Sequence, residues 1–276
     1  MNAMKIFYTA AGWLAVVYIA ALFCFPVFQV LLTSLQEGGS FTVQHYIKIF
    51  TGSVYLRVLF QTLWVSVIAT LVSLCLGYSL AYYIASRPVK SQGIWLMAII
   101  TPMFMSLTIR FFGWMIFLGK EGPLLQFLQG IGVADKEFTL LFTTAAVVIG
   151  IVHYALPFVV LNIYASLKKV EPALLEAATI LGASRLTTFC RVTFPLSLPG
   201  VFSGGSIAFA LAASTFLVPR MLGGPKDMMI ANLAYDAIIK IGDMPLGAAL
   251  SMVLLTLVVL VLVVMNRLER RSHFAK

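Results

Sequence analysis

A polar loop at 171–199, EPALLEAATILGASRLTTFCRVTFPLSLP, lies between two apolar stretches of the chain. In it Glu176, Ala177 and Ala178 are followed three residues later by Gly182, and after nine more come Val192 and the pair Phe194 and Pro195. These types suit docking and transmission of force rather than bond-making. Leu174, Ala178 and Leu181, at i, i+4 and i+7, give a short helix one apolar face, and Gly182 sits where a helix closes on a left-handed residue. Ser184 is placed to cap a second short helix from Arg185 to Phe189. The expected unit is a helix-turn-helix with Arg185 and Arg191 exposed, whose small Ala177 and Ala178 let another protein's surface come close. There is no H-E-x-x-H, no G-x-S-x-G and no clustered His or Cys, so neither an enzyme nor a metal site is expected. No G-x-x-x-x-G-K-[ST] loop is present to cradle phosphates.

A second group of polar residues lies within or beside apolar runs. Arg110 stands about 17 residues into its run, roughly 26 Å along a helix. A lipid-facing Arg there is costly, so it is expected to line a water-filled path or to pair with an outer-loop Asp. His153 and Asn162 are further path candidates, with hydrogen bonding between helices as the plainer role. Outside the runs, Arg220, Asp227, Asp236, Asp243 and Glu121 are charges that a solute would meet, with a solvated loop charge as the plainer role of the carboxylates.

The elements that must position these groups follow from composition. With 61% hydrophobic and 11% charged residues over 276 positions, and a mean hydropathy of +1.00, the chain is too apolar for a soluble domain. Apolar stretches long enough to cross a hydrocarbon core of about 30 Å recur along its length. Six spans are expected, at 12–35, 58–86, 93–118, 139–166, 198–218 and 246–266, in one transmembrane domain over 1–276, with a loop at 167–197. The fold class is all-α, a polytopic membrane protein.

An even number of spans puts both termini on one side, and the positive-inside rule chooses it. With the termini inside, eleven Lys and Arg in the inner segments (Lys5, Arg87, Lys90, Lys168, Lys169, Arg185, Arg191, Arg267, Arg270, Arg271, Lys276) stand against Glu171, Glu176 and Glu269, leaving +8. The outer segments balance seven cations with seven carboxylates. The net charge of +9 is thus mostly topology, and no basic run with interleaved aromatics points to nucleic acid. The first run, of about 24 residues, is longer than a signal-peptide core and is read as a retained helix.

Between the spans, FTVQHYIKIF reads as a short amphipathic surface helix, and the run around Ile230 to Ile241 as a helix at or dipping into the outer face. Small residues recur at i, i+4 along the second span (Ala69, Ser73, Gly77, Ala81, Ala85) and the fifth (Gly200, Gly204, Ala208, Ala212). Such stripes serve close packing within the subunit, or, for the fifth span, a pathway or subunit contact. Cys24, Cys75 and Cys190 suggest no disulfide framework.

The spacing from Glu176 to Pro195 resembles the EAA loop of ABC importer permeases, E-A-A, three residues, G, nine residues, I, one residue, L-P; Val192 and Phe194 replace Ile and Leu. FTVQHY at 41–46, SLTIRFFGWMIFL at 106–118, MLGGPKDMMIAN at 221–232 and MPLGAA at 244–249 extend a resemblance to spermidine/putrescine-type permeases over nearly the whole chain. That resemblance implies a type I ABC importer (MetI-like) permease fold in a bacterial inner membrane. It implies coupling through Glu176, Ala177, Ala178, Gly182, Ser184, Arg185 and Pro195 to two copies of a cytoplasmic ATPase. It further implies a second, related but distinct permease, and a periplasmic or extracytoplasmic solute-binding protein. ATP and Mg belong to the ATPase and no cofactor to this chain; lipid and a small solute are the remaining partners.

For the solute, the family label is polyamine, and Asp227, Asp236, Asp243 and Glu121 would serve a cation. One departure pulls the other way. Arg220 stands where polyamine permeases can carry an acidic residue, and together with Arg110 it would suit an amino acid, opine or aminoalkylphosphonate. A secondary transporter or channel would need no such loop.

Overall fold

The computed structural model describes residues 2–132 and 138–274, and its elements run in the order α1 (Asn2–Ser34), β1 (Gln36–Glu37), β2 (Ser40–Phe41), α2 (Gln44–Thr51), α3 (Ser53–Ala85), α4 (Val89–Ile100), α5 (Leu107–Leu118), α6 (Pro123–Gly130), α7 (Thr144–Leu167), α8 (Pro172–Ile180), α9 (Arg185–Thr188), α10 (Phe194–Ser214), α11 (Leu217–Leu222), α12 (Ile230–Tyr235) and α13 (Met244–Phe274). The stretches Gly12–Ser34, Ser53–Ala85, Thr144–Leu167, Arg185–Ser214 and Met244–Arg270 are each long and apolar enough to cross a membrane as single helices.

The expected third span, 93–118, is not one helix. It is split into Val89–Phe104 and Leu107–Gly130, which meet at 99°. Pro102 has no N–H to give the carbonyl four residues back, so α4 runs into a 3-10 turn, Thr101–Phe104. Met105 and Ser106 are then extended (ψ 144° and 132°) before α5 begins. The fifth span also ends earlier than expected, at Ser214, because Thr215 is extended.

The centre of the molecule is the trio α3, α7 and α10, packed on one another. Their closeness is set by the small residues. A methyl group at Gly77 would lie 2.6 Å from Val159 Cγ1; one at Gly200 would lie 2.6 Å from Ser166 Cβ and 2.7 Å from the Asn162 carbonyl oxygen. Without a hydrophobic drive between helices in lipid, such approach is what allows dispersion and weak polar contacts to hold them. The stripe on α10 therefore packs against α7 inside the subunit. It is buried and lines neither a path nor a subunit contact.

After α1, Gly38 and Gly39 both take positive φ, 57° and 87°, and turn β1 back on β2, pairing Gln36 with Phe41 and Glu37 with Ser40. The segment FTVQHYIKIF supplies α2, which buries His45 and Ile49. Ile49 joins Ile230, Ala234, Leu246 and Leu250 in a small core that fastens α12 onto α13.

Candidate functional site

The loop singled out by its spacing is built from local rules. Pro172 opens α8 in its first turn, where the missing N–H costs nothing. The helix closes in a Schellman motif: Ala183 N donates to the Ala178 carbonyl and Gly182 N to that of Thr179, both at 3.0 Å, with Gly182 at φ 76°. Ser184 caps α9, its hydroxyl accepting from Thr187 N at 3.2 Å. A π-helical turn, Phe189–Thr193, leads into α10, and Pro195 in the first turn of that helix donates nothing back into it.

Glu176, Ala177, Gly182 and Arg185 are exposed, while Ala178 is half-buried. The apolar face does not fall where the i, i+4, i+7 pattern places it. Leu181 points outward and is 86% exposed, as is Ile180, with Leu186 beside them. It is Leu175 and Ala178 that turn toward the body of the protein. The hairpin thus presents apolar side chains outward between charged ones, as a surface does when another protein covers it.

Sequence reasoning misses the latch behind this hairpin. Phe189, in the π turn, meets Tyr78 and Tyr82 of α3 edge to face at 5.8 and 5.4 Å. Tyr78 also touches Phe194 at 5.6 Å, and its hydroxyl lies 2.9 Å from Ser197 Oγ on α10. The i, i+4 pair of tyrosines near the end of an apolar span is the available signal.

The polar groups expected along a path are mostly bound by the protein itself. Arg110 is 7% exposed, and its guanidinium donates to the carbonyls of Pro102 and Met105, the latter at 3.2 Å. It adds to the Met105 N–H already on the Pro102 carbonyl and engages that of Met105 at the break in the third span, and among the described residues it forms no ion pair with an Asp. His153 lies edge-on to Trp114 at 5.4 Å. Asn162 donates to the Phe158 carbonyl at 2.8 Å and accepts from Ser203 Oγ at 3.2 Å, tying α7 to α10.

The outer charges are similarly engaged. Asp227, 6% exposed, accepts from the Thr144 hydroxyl and from Gly224 N at 2.9 Å, pinning the loop between α11 and α12 to the start of α7. Asp243 accepts from Leu246 N at 3.0 Å and caps α13. Arg220 pairs with Asp236 at 3.3 Å, Lys240 approaches the other oxygen of Asp236 at 2.9 Å, and Arg220 also lies over the Tyr235 ring. Glu121 is exposed, and its backbone carbonyl accepts from Gln126 Nε2.

A cavity of about 240 Å³ opens where the third span breaks and α10 ends, lined by Phe111, Tyr154, Ser214, Thr215 and Phe216 among others. None of the charged candidates named from the sequence lines it; Phe111 and Tyr154 are the chain neighbours of Arg110 and His153. Uncharged aromatics and hydroxyls in an apolar run carry no distinctive signal by which a sequence could single them out. Arg110 is thus engaged by backbone carbonyls and Arg220 by Asp236.

Comparison with known proteins agrees with this picture. Residues 73–273 match the family described as binding-protein-dependent transport system inner membrane component. The spermidine/putrescine transport system permease protein PotB of Escherichia coli is 37% identical over 270 residues, covering 95% of this chain and 96% of that protein. The Haemophilus influenzae protein of the same name is 30% identical over 91% of this chain and 93% of its own length. Among solved structures, a bacterial ABC transporter importing the acidic polysaccharide alginate superposes with a TM-score of 0.83 at 18% identity, over 98% of this chain and 97% of that one. The methionine transporter MetNI gives 0.56 at 18% identity over 76% of this chain and 94% of its own.

Proposed function

The chain belongs to the binding-protein-dependent transport system inner membrane component family, and on that footing we propose that it is the permease of a polyamine importer, with Glu176 to Gly182 as the segment seated on a cytoplasmic ATPase. It is a multi-pass inner membrane transport subunit of type I ABC importer fold, not an enzyme. The observation that carries the solute is the 37% identity over 95% of the chain with a spermidine/putrescine permease.

The geometry supports the same solute. A polyamine is a flexible polycation, and free guanidinium groups along its route would repel it. Arg110 is held by carbonyls and Arg220 by Asp236, so neither cation is offered to a passing solute. The cavity at the broken span is lined instead by the rings of Tyr154 and Phe216, a residue class that attracts ammonium groups, and by the hydroxyls of Ser214 and Thr215, which accept from them. That same arrangement disfavours an acidic or zwitterionic solute.

In this reading two ATPase copies close on ATP and pull the exposed hairpin, while a second, related permease completes the path. A binding protein delivers the solute at the outer face, and both termini lie in the cytoplasm. The orientation follows from the +8 balance of the inner segments. The test is ATP hydrolysis by the reconstituted complex with its binding protein. Stimulation by spermidine or putrescine is expected; stimulation by amino acids or aminoalkylphosphonates alone would overturn the assignment.

A further inference from the structure

Behind the α8–α9 hairpin lies a second cavity, of about 640 Å³. Its walls come from the ends of α3 and α7, from the connection into α8, and from α9 with the π turn. Lys168, just after α7, and Arg185, in α9, both line it, and neither has a carboxylate within 4 Å among the described residues. Beside them stand the hydroxyls of Thr188 and Thr193, with Thr193 buried; that of Ser86, also in the wall, is already donated to the Tyr83 carbonyl at 2.7 Å. Leu167, Val170, Leu175 and Phe189 give the wall an apolar part. Two uncompensated cations beside hydroxyl donors match a tetrahedral phosphate, which accepts many hydrogen bonds at once.

The depth of the cavity narrows the source of that phosphate. It begins where two membrane-spanning helices, α3 and α7, both come to an end, which is where lipid head groups lie. An apolar wall beside the cations matches the glycerol and upper acyl chains of a lipid better than a free ion. Resting on the reading that the hairpin faces the cytoplasm, we propose that this cavity seats the phosphate of an anionic phospholipid from the inner leaflet, with Lys168, Arg185 and the hydroxyls as its ligands. The lipid then fills the gap between the hairpin and the bundle, and the motion of the hairpin passes across it.

The test uses the assembled transporter, this chain with its second permease and ATPase, in nanodiscs of mixed phosphatidylethanolamine and phosphatidylglycerol. Native mass spectrometry counts the phosphatidylglycerol retained after transfer to detergent. Lys168→Gln is expected to weaken retention about fivefold, and Lys168→Glu to abolish it, with the ATPase still bound. Thr188→Val, which keeps the charge, is expected to weaken retention by a smaller factor. A parallel wash with inorganic phosphate separates the sources: unchanged lipid retention identifies the lipid, whereas displacement of lipid by phosphate identifies a free phosphate in the same seat. Equal lipid retention by wild type and both Lys168 variants, with no phosphate bound, would overturn the site. Loss of the ATPase from wild type would instead strike at the permease assignment.

Discussion

Replacing Gly182 tests whether the coupling hairpin works through the shape of one turn. With φ at 76° the residue lies in the left-handed region, while a methyl group there would meet nothing within 4 Å. Alanine therefore adds no clash, and its whole cost is conformational, about 1–2 kcal/mol. That shifts the loop about 5- to 30-fold away from the closed turn, loosening the two 3.0 Å bonds that end α8. Asn tolerates the left-handed region and costs less; Val, branched at Cβ, costs more. The assay is the ratio of ATP hydrolysed to spermidine taken up by proteoliposomes, with ATPase retention measured by copurification. The ratio is expected to rise in the order Gly, Asn, Ala, Val. If the Ala variant couples better than Asn, side-chain size governs rather than backbone conformation, and normal uptake by the Val variant would refute a coupling role for the turn.

Three further outcomes are expected. Gly200→Ala, whose methyl would fall 2.6 Å from Ser166 Cβ and 2.9 Å from Ile163 Cα, is expected to lower thermal stability by about 1–3 kcal/mol; Gly113→Ala, with nothing within 4 Å, should leave it unchanged or slightly raised in a thermal-shift measurement. Arg110→Met leaves the Met105 carbonyl without the guanidinium and the Pro102 carbonyl with only the Met105 N–H, and is expected to cost about 1–3 kcal/mol, with KM for spermidine unchanged in the folded fraction; a changed KM at unchanged stability would return Arg110 to the path. Tyr78→Phe removes the 2.9 Å bond to Ser197 and is expected to leave hydrolysis intact while raising the ATP used per solute, and an unchanged ratio would show that the aromatic contacts alone hold the latch.

What can be read in the sequence is whatever is decided within a few residues. The left-handed turn at Gly182, the cap at Ser184 and the short helix around His45 and Ile49 each follow from neighbours along the chain. The break at Met105 and Ser106 is hidden because the apolar run continues through it, and hydropathy registers composition rather than backbone continuity. Asp227 reads as a solvated loop charge because its partner, Thr144, lies 83 residues away. The helical pattern turns Leu181 the wrong way because amphipathic patterns assume that water covers the other face. A surface destined for another chain breaks that assumption. The 240 Å³ cavity is illegible for a further reason: three remote segments make it from residue types common in any span.

The first helix and the last are each other's neighbours: α1 packs along α13, while its described side chains between Gly12 and Val30 stay exposed. About 210 residues separate Ser34 from Met244. At a synthesis rate of roughly 5–20 residues per second, α1 waits about 10–40 s in the bilayer before its mate emerges. During that interval α3, α7 and α10 are all synthesised, so α1 faces lipid until α13 is made.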